Sequence, residues 1–514
     1  MNGESPNGEH LVSLRNTRRA FFIVPLVSIS LFWALLYVPN LRTSPRWYGD
    51  ETLTLMIGKA LFAGHPADRS LKITFWHPSY TYQPGYAWFA GGMAWLFGGD
   101  ILGARVLNVL LALAIATTMY LGGRSIFGHF PAWFGALFFL GYDQSIIHFR
   151  WIYPHNAVAL GLLICVLALL RRSRPKVDWI AGAGLGLAAL SHPLFVHGAI
   201  AGWLCRIKRP RSWPRLAAPS AIVVLCSLGF AILRYWPENW LTQDLSELAD
   251  FYRAYSNENG SGTKAVQNIV MFYSQDFFHL GAAIGCVLCV RKSLYPIAVF
   301  ASIVSFLLLQ NRQNIPVFYY QAVTLLPILA LAWTGGLKVA LDRLRAFGPS
   351  FRPAVRLARA ASLALPLILI ARMIPESLAG RLVSRNDFWV TQIPGEVEQA
   401  ARWLNERLSE CDLVICGPNV AWLLDCRVAD FIQATAWTGK RTFTFERPVS
   451  RSRFLFPADV DRARYLVVGD IEQRWTFAQP GVDEIARQIV REKWPVVWRG
   501  RFYFIFENPR LAAH

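Results

Sequence analysis

The sequence predicts a polytopic α-helical membrane protein of about eleven transmembrane helices, followed by a small C-terminal extracytoplasmic α/β domain. Three observations carry this. Of 514 residues, 54% are hydrophobic and 14% aromatic, and the mean hydropathy is +0.31, too apolar for an ordinary water-soluble domain. Many apolar segments approach the roughly 20 residues that a helix needs to cross about 30 Å of hydrocarbon, without the alternation of barrel strands. Beyond Arg372 the pattern changes to that of a soluble domain.

Taken in order, a cytoplasmic tail at 1–20 precedes the first span, Phe21 to Pro39. The Arg18-Arg19 pair ahead of it resembles a twin-arginine signal, but no small-residue cleavage site follows, so the segment is expected to stay as a helix. A long first outer loop, 40–101, comes next. Further spans are expected at Leu102 to Leu121, Pro131 to His148, His155 to Leu170, Leu216 to Tyr235, Asn268 to Val290, Ser293 to Gln310, Val317 to Leu337 and Ala354 to Arg372. Lys176 to Arg206 has basic flanks and a break at Ser191 to Pro193, which predicts a pair of short crossing helices. The membrane domain thus covers 21–380 and the outer domain 381–514. Within the latter, "EVEQAARWLNERL" and "GVDEIARQIVREKW" read as amphipathic helices, and "DLVIC", "RYLVVGD" and "RFYFIFEN" as strands.

Charge fixes the expected orientation. The formal net charge is +19, and its Lys and Arg residues cluster in short loops between apolar segments, where they set topology and argue against nucleic-acid binding. The segment Gly85 to Gly98 holds only about 14 apolar residues, too few for a comfortable span. Read as a helix on the outer surface, it leaves the Arg171 to Lys176 and Arg206 to Arg211 runs on the cytoplasmic side. The N-terminus is then cytoplasmic, the first long loop and the C-terminal domain are outside, and the location is the inner or plasma membrane. Of eight cysteines, Cys286 and Cys289 read as packing residues of a span. Cys411, Cys416 and Cys426 fall in the outer domain, where a Cys416 to Cys426 disulfide is one option.

The chemistry begins with "RWYGDETLTLMIGKAL", in which Asp50 and Glu51 stand side by side just outside the first span. One reading is local: an N-cap and a first-turn acid for the helix that follows. The other is functional: a carboxylate at the water–membrane boundary acts as a general base towards an acceptor hydroxyl or amine, or binds a divalent ion. The two readings are compatible, because a cap fixes where the carboxylate sits. Asp276 and His279 lie near the outer end of a span, and because an acid at that depth is costly Asp276 is a lesser candidate.

Downstream come "FWHPSYTYQPGYAWFAGG", "FGGDILGARVLNVLLALA", "YLGGRSIFG" and "HFRWIYPHNAVALGLL". In order, these motifs resemble the GT-C superfamily of polyprenyl-phosphate-sugar glycosyltransferases, in particular the branch of bacterial protein O-mannosyltransferases and the lipid A aminoarabinose transferase. The resemblance runs in motif order from about Phe21 to Leu337. It implies a GT-C-like membrane domain and a polyprenyl-phosphate-linked sugar as donor. The acceptor would be a lipid, glycan or protein. Asp50 and Glu51 would be catalytic. Arg150 and Arg105, with His77 or Gln83 before their prolines, would hold the donor phosphate, for which a guanidinium is suited by its bidentate geometry. Arg69 and Lys72 carry charge in the same loop, and Tyr82, His155 and Asn156 are further candidates.

Where many relatives place a second acid beyond the position of Arg150, this chain reads "RWIYPHN". The expectation is therefore that no metal ion is required, with a divalent ion the alternative. The implied reaction is inverting transfer by single displacement on the outer face. The rival readings are a lipid-linked-sugar transporter or flippase, and a non-catalytic relative that binds carrier lipid.

Overall fold

The computed structural model describes residues 23–49, 51–52, 54–56, 85–235, 246, 262–290, 293–309, 320–384, 391–442, 447–451, 454 and 456–511. Asp50, His77, Tyr82, Gln83, Arg69 and Lys72 lie outside the described residues.

The membrane part is a bundle of helices in the order α1 (Ile23–Tyr37), α2 (Gly85–Leu96), α3 (Ile101–Phe127), α4 (His129–Gly141), α5 (Asp143–His148), α6 (Pro154–Leu169), α7 (Pro175–Ser191), α8 (Phe195–Cys205), α9 (Trp213–Tyr235), α10 (Gly262–Ser274), α11 (Phe277–Val290), α12 (Tyr295–Leu309), α13 (Leu326–Ala346) and α14 (Arg352–Leu378). Local sequence sets many boundaries. Asp100 caps α3, its Oδ1 accepting from Leu102 N at 2.7 Å, and Pro154, Pro175 and Pro327 occupy first-turn positions where a missing N–H costs nothing. The pair expected across Lys176 to Arg206 forms as α7 and α8, parted at His192-Pro193.

Small residues let the helices meet closely. A Cβ built on Gly161 of α6 would lie 2.5 Å from the carbonyl oxygen of Gly184 on α7, and one on Gly184 would lie 2.5 Å from that of Gly161. Neither position tolerates a side chain at this crossing.

Among the described residues four helices are long and apolar enough to cross a membrane: Ile101–Phe127, Pro210–Phe230, Gln321–Ala346 and Pro349–Leu378. Val266–Ser274 and Phe277–Val290 make a pair bent by 112°, a fifth if counted as one span. The expected number of about eleven is not reached by this measure because Ile23–Tyr37, His129–Gly141, Pro154–Leu169, Phe195–Cys205 and Tyr295–Leu309 are apolar but short.

The C-terminal part holds the expected small sheet. Its five strands are β3 (Leu413–Ile415), β4 (Arg427–Ala429), β5 (Ala463–Val468), β6 (Val496–Arg499) and β7 (Phe504–Glu507), in spatial order β4-β3-β5-β7-β6. β3 runs parallel to β4 and β5, and β7 runs antiparallel to β5 and β6. The helices α15 (Pro394–Asn405), α16 (Pro418–Ala421), α17 (Phe431–Trp437), α18 (Asp470–Arg474) and α19 (Asp483–Arg491) surround it. Val397, Ala400, Ala401 and Leu404 of α15 share one buried stripe, as the expected amphipathic helix requires.

All eight cysteines are free thiols, so the Cys416 to Cys426 option is not realised. Cys416 donates its N–H to the carbonyl of Ala429, whereas Cys426 stands before β4 at the other end of the pairing. At about 3.3 Å per strand residue, this separation is too long for a disulfide.

Two further strands join the parts. β1 (Trp47–Tyr48), in the loop after α1, pairs antiparallel with β2 (Thr391–Gln392), which leads into α15. One apolar cluster runs across this seam. It holds Trp47, Leu55, Tyr86, Ala104 and Ile152 from the membrane part, together with Val397, Val414 and Trp422 from the C-terminal part.

Candidate functional site

The helical turn after β1 begins at Gly49, and Glu51 lies within it. Its Oε2 accepts the backbone N–H of Tyr48 at 2.8 Å, the reach-back of an N-terminal capping glutamate. Capping is thus supplied by Glu51 at this turn. The carboxylate is also held from two further directions. Arg105 of α3 donates from Nε to Oε1 at 2.9 Å and from Nη2 to Oε2 at 2.7 Å, and Ile152 N donates to Oε1 at 3.0 Å. Both side chains are 0% exposed, so this is a bidentate ion pair removed from water.

Arg105 has little left to offer a ligand. Its Nη1 donates to the carbonyls of Leu41 at 2.8 Å and Pro45 at 2.9 Å, and Nη2 also reaches Arg46 O at 3.4 Å. The role expected for it, a donor-phosphate ligand, does not fit this geometry: its donors face Glu51 and the loop carbonyls.

Arg150 differs from expectation in the same way. Nη1 donates to Ser377 Oγ at 3.0 Å and to Leu36 O at 3.3 Å, and Nη2 donates to Pro39 O. Ser377 Oγ in turn donates to Leu36 O at 2.8 Å. Arg150 is buried and fastens the end of α1 to the end of α14; only Nε lacks a hydrogen-bond acceptor.

Below the Glu51–Arg105 pair lies a polar network that the sequence hid. Asn108, one turn beyond Arg105 on α3, accepts from Tyr86 Oη and from Asn156 Nδ2, both at 2.8 Å. Asn156 Nδ2 also reaches the carbonyls of Trp151 at 3.1 Å and His148 at 3.2 Å, which fixes the turn carrying Arg150. Asn156 is therefore brought into the site, but as a brace. His155 is buried with its ring centroid 4.5 Å from that of His192 and 6.0 Å from that of Tyr153. Tyr48 packs at 5.2 Å against both Trp151 and Tyr153. An Asn and an Arg three positions apart in an apolar helix were the available signal for this network.

The C-terminal part meets the acid turn directly. Thr52 Oγ1 lies 3.1 Å from Asn419 Oδ1 on α16, Trp47 and Trp422 stack edge-on at 5.7 Å, and a Cβ on Gly49 would sit 3.4 Å from Ile471. Arg42 bridges Asp100 at 2.8 Å and Glu398 of α15 at 2.5 Å. Asn419 and Ile471 lie in the segments following β3 and β5, at the carboxyl ends of parallel strands, where α/β sheets commonly place ligand-binding loops.

Glu472 sits among these segments. Gly469 N donates to its Oε2 at 2.8 Å, and Cβ atoms on Gly417 and Gly469 would lie 2.2 Å and 2.8 Å from its carboxylate oxygens. Only glycine admits the carboxylate at those two positions. Burial is the main cause that pushes the Glu472 carboxyl up to about 7.

Asp276 and His279 do come together at the bend between α10 and α11. The carboxylate pairs with His279 Nδ1 at 2.9 Å and accepts from Tyr142 Oη at 2.8 Å. Among the described residues no group of three His, Cys, Asp or Glu side chains converges as a metal site.

No family profile and no curated protein matches the sequence. Solved structures do. ArnT from Cupriavidus metallidurans bound to undecaprenyl phosphate superimposes with a TM-score of 0.59 at 14% identity, covering 95% of this chain and 98% of that one. The archaeal oligosaccharyltransferase AglB from Archaeoglobus fulgidus, in complex with an inhibitory peptide and a dolichol-phosphate, gives 0.53 at 13% identity, covering 96% of this chain and 75% of that one. The mycobacterial arabinofuranosyltransferase AftD gives 0.50 at 15% identity, covering 95% of this chain and 40% of that one. These are GT-C structures, and this chain shares their fold.

Proposed function

We propose that the protein is a membrane glycosyltransferase that moves a sugar from a polyprenyl-phosphate carrier to a lipid, glycan or protein acceptor on the outer face of the membrane. The observation that carries this reading is the Glu51 carboxylate, buried and held bidentately by Arg105 on a turn just outside α1. It occurs in a chain whose fold matches, over 95% of its length, a structure bound to undecaprenyl phosphate. Asp50 is the adjacent acid in sequence.

Asp50 is the general base. It takes the proton from the acceptor hydroxyl or amine as the acceptor atom attacks the anomeric carbon. The bond from that carbon to the phosphate oxygen breaks on the opposite face, and the polyprenyl phosphate leaves with the electron pair. One base and a single displacement give inversion without a second carboxylate nucleophile. Glu51 positions the base, and Arg105 and Arg150 position the backbone around it. The phosphate charge falls to His77 and Gln83, with Arg69 and Lys72 close by in sequence. No metal ion is needed for this step, because the base and the leaving phosphate supply both proton and charge transfer.

Transfer of a labelled sugar from a polyprenyl-phosphate donor, measured in proteoliposomes, tests the proposal. Asp50→Asn should abolish transfer while expression and melting behaviour stay unchanged. Near-normal turnover by that variant would remove Asp50 as the base. Movement of the intact lipid-linked sugar across the bilayer without transfer would establish a flippase instead.

A further inference from the structure

The end of the bundle away from Glu51 carries a second built feature. α6 starts beside the candidate site at Asn156 and ends at Leu169, about 20 Å away at 1.5 Å per residue. There Arg206 donates to Leu169 O at 3.3 Å and to Arg171 O at 3.4 Å. Its Nε pairs at 3.2 Å with Asp178, a buried acid that also accepts from Ser173 Oγ at 3.0 Å and Ser212 Oγ at 2.8 Å. One carboxylate thus ties together the loop before α7 and the loop before α9, the two basic runs of the sequence.

Between those loops opens a cavity of about 390 Å³ lined by Arg174, Lys208, Arg209, Arg211 and Arg215. This is within the roughly 300–1,000 Å³ range of ligand sites. Among the described residues none of these five cations has an ion-pair partner or a side-chain hydrogen bond. The one acid in the lining, Asp178, is already committed to Arg206 and the two serines. Five uncompensated cations around one cavity repel each other, and an anion with several oxygen acceptors relieves that repulsion.

Around the same loops Trp179 is 47% exposed, Trp203 47% and Trp213 40%, with Trp203 and Trp213 stacked at 6.5 Å. Exposed tryptophans at helix ends mark the headgroup level of a bilayer. A basic pocket between helices at that level is suited to the phosphate of an anionic lipid.

We infer that this cavity is a binding site for the headgroup of an anionic phospholipid, separate from the catalytic reading and independent of it. Trp213 Nε1 donates to Arg206 O at 3.1 Å, which ties the start of α9 to the α8–α9 loop. The lipid bridges the α6–α7 and α8–α9 loops from the bilayer side.

The test uses the delipidated full-length protein in a non-ionic detergent, with bound lipids counted by native mass spectrometry. The probes are phosphatidylglycerol, phosphatidylcholine and inorganic pyrophosphate. The wild type should retain phosphatidylglycerol over phosphatidylcholine. The triple variant Lys208→Gln/Arg209→Gln/Arg211→Gln, altered only at exposed side chains, should lose about tenfold or more in apparent affinity for phosphatidylglycerol without a change in lipid-free melting temperature. Arg174→Gln/Arg215→Gln should repeat the loss. Arg343→Gln/Arg352→Gln/Arg356→Gln, on other helices, should retain binding.

Equal loss in that control would show diffuse charge attraction and overturn the site, as would full retention in the first two variants. Pyrophosphate that binds as tightly as the lipid and displaces it completely would identify a soluble phosphate ligand and overturn the lipid assignment.

Discussion

Breaking the Glu51–Arg105 pair from one side should be far more costly than replacing both partners. Each side chain is 0% exposed, and the two contacts of 2.9 and 2.7 Å leave the carboxylate with only the Tyr48 and Ile152 amides if Arg105 is removed. Arg105→Gln therefore strands a buried negative charge, and Glu51→Gln strands a buried guanidinium among three carbonyls. Removing one member of such a pair costs about 3–5 kcal/mol, whereas a neutral pair of similar volume costs much less. The double variant Glu51→Gln/Arg105→Gln should accordingly recover about 1–3 kcal/mol relative to the sum of the single variants.

Denaturant titration of the purified protein in mild detergent, run as a double-mutant cycle, measures this. Because the pair is dry, the coupling should also persist at high salt. Additive single effects, with coupling under about 0.5 kcal/mol, would refute a mutual lock. A stability-neutral Arg105→Gln that raises KM for the lipid donor would return Arg105 to the phosphate.

Two further perturbations separate scaffold from chemistry. Arg150→Met takes the guanidinium from the Pro39 carbonyl and one donor from each of Leu36 O and Ser377 Oγ, which keep their bond to each other, and should cost about 1–3 kcal/mol by the same titration, with Ser377→Ala losing about 1–2 kcal/mol. The Glu472 carboxyl stands at about 7 against an ordinary value of 4.5, so the folded state holds a proton that the unfolded chain has released between those pH values. Stability should then fall by up to about 3 kcal/mol as pH rises from 4.5 through 7, and flatten above. Glu472→Gln keeps an acceptor for Gly469 N and should remove this slope, as thermal melts across that pH range would show.

The helices were legible because an apolar run is a local property. α7 and α8 appear on either side of His192-Pro193 for the reason the sequence offered, and β3, β5 and β7 fall in the apolar stretches singled out as strands. Arg105 and Arg150 were legible as unusual and illegible as to role. A sequence shows a guanidinium at a helix end, but not that the carbonyls of Leu41, Pro45, Leu36 and Pro39 converge on it. β1 and β2, two residues each, carry no periodicity, and their pairing spans more than three hundred residues of chain. The expected number of spans is not matched by helix length among the described residues: α4 and α8 are largely apolar, yet only 13 and 11 residues long.

The seam formed by β1 and β2 bears on how the acid turn is controlled. Tyr48 pairs with Thr391 in that small sheet, and the same residue's N–H is the one Glu51 accepts. Trp47, beside it, stacks on Trp422, and Arg42 holds Glu398. A displacement of the C-terminal part thus pulls on β1, and through Tyr48 on the Glu51 carboxylate. Arg105 resists it, being anchored to α3 and to three carbonyls of the same loop. The stiffness of the turn is therefore set jointly: by a buried ion pair on the membrane side and by strand pairing on the other. A ligand that shifts the segments after β3 and β5, where Asn419 and Ile471 touch the turn, acts on Glu51 through backbone that is held from both sides.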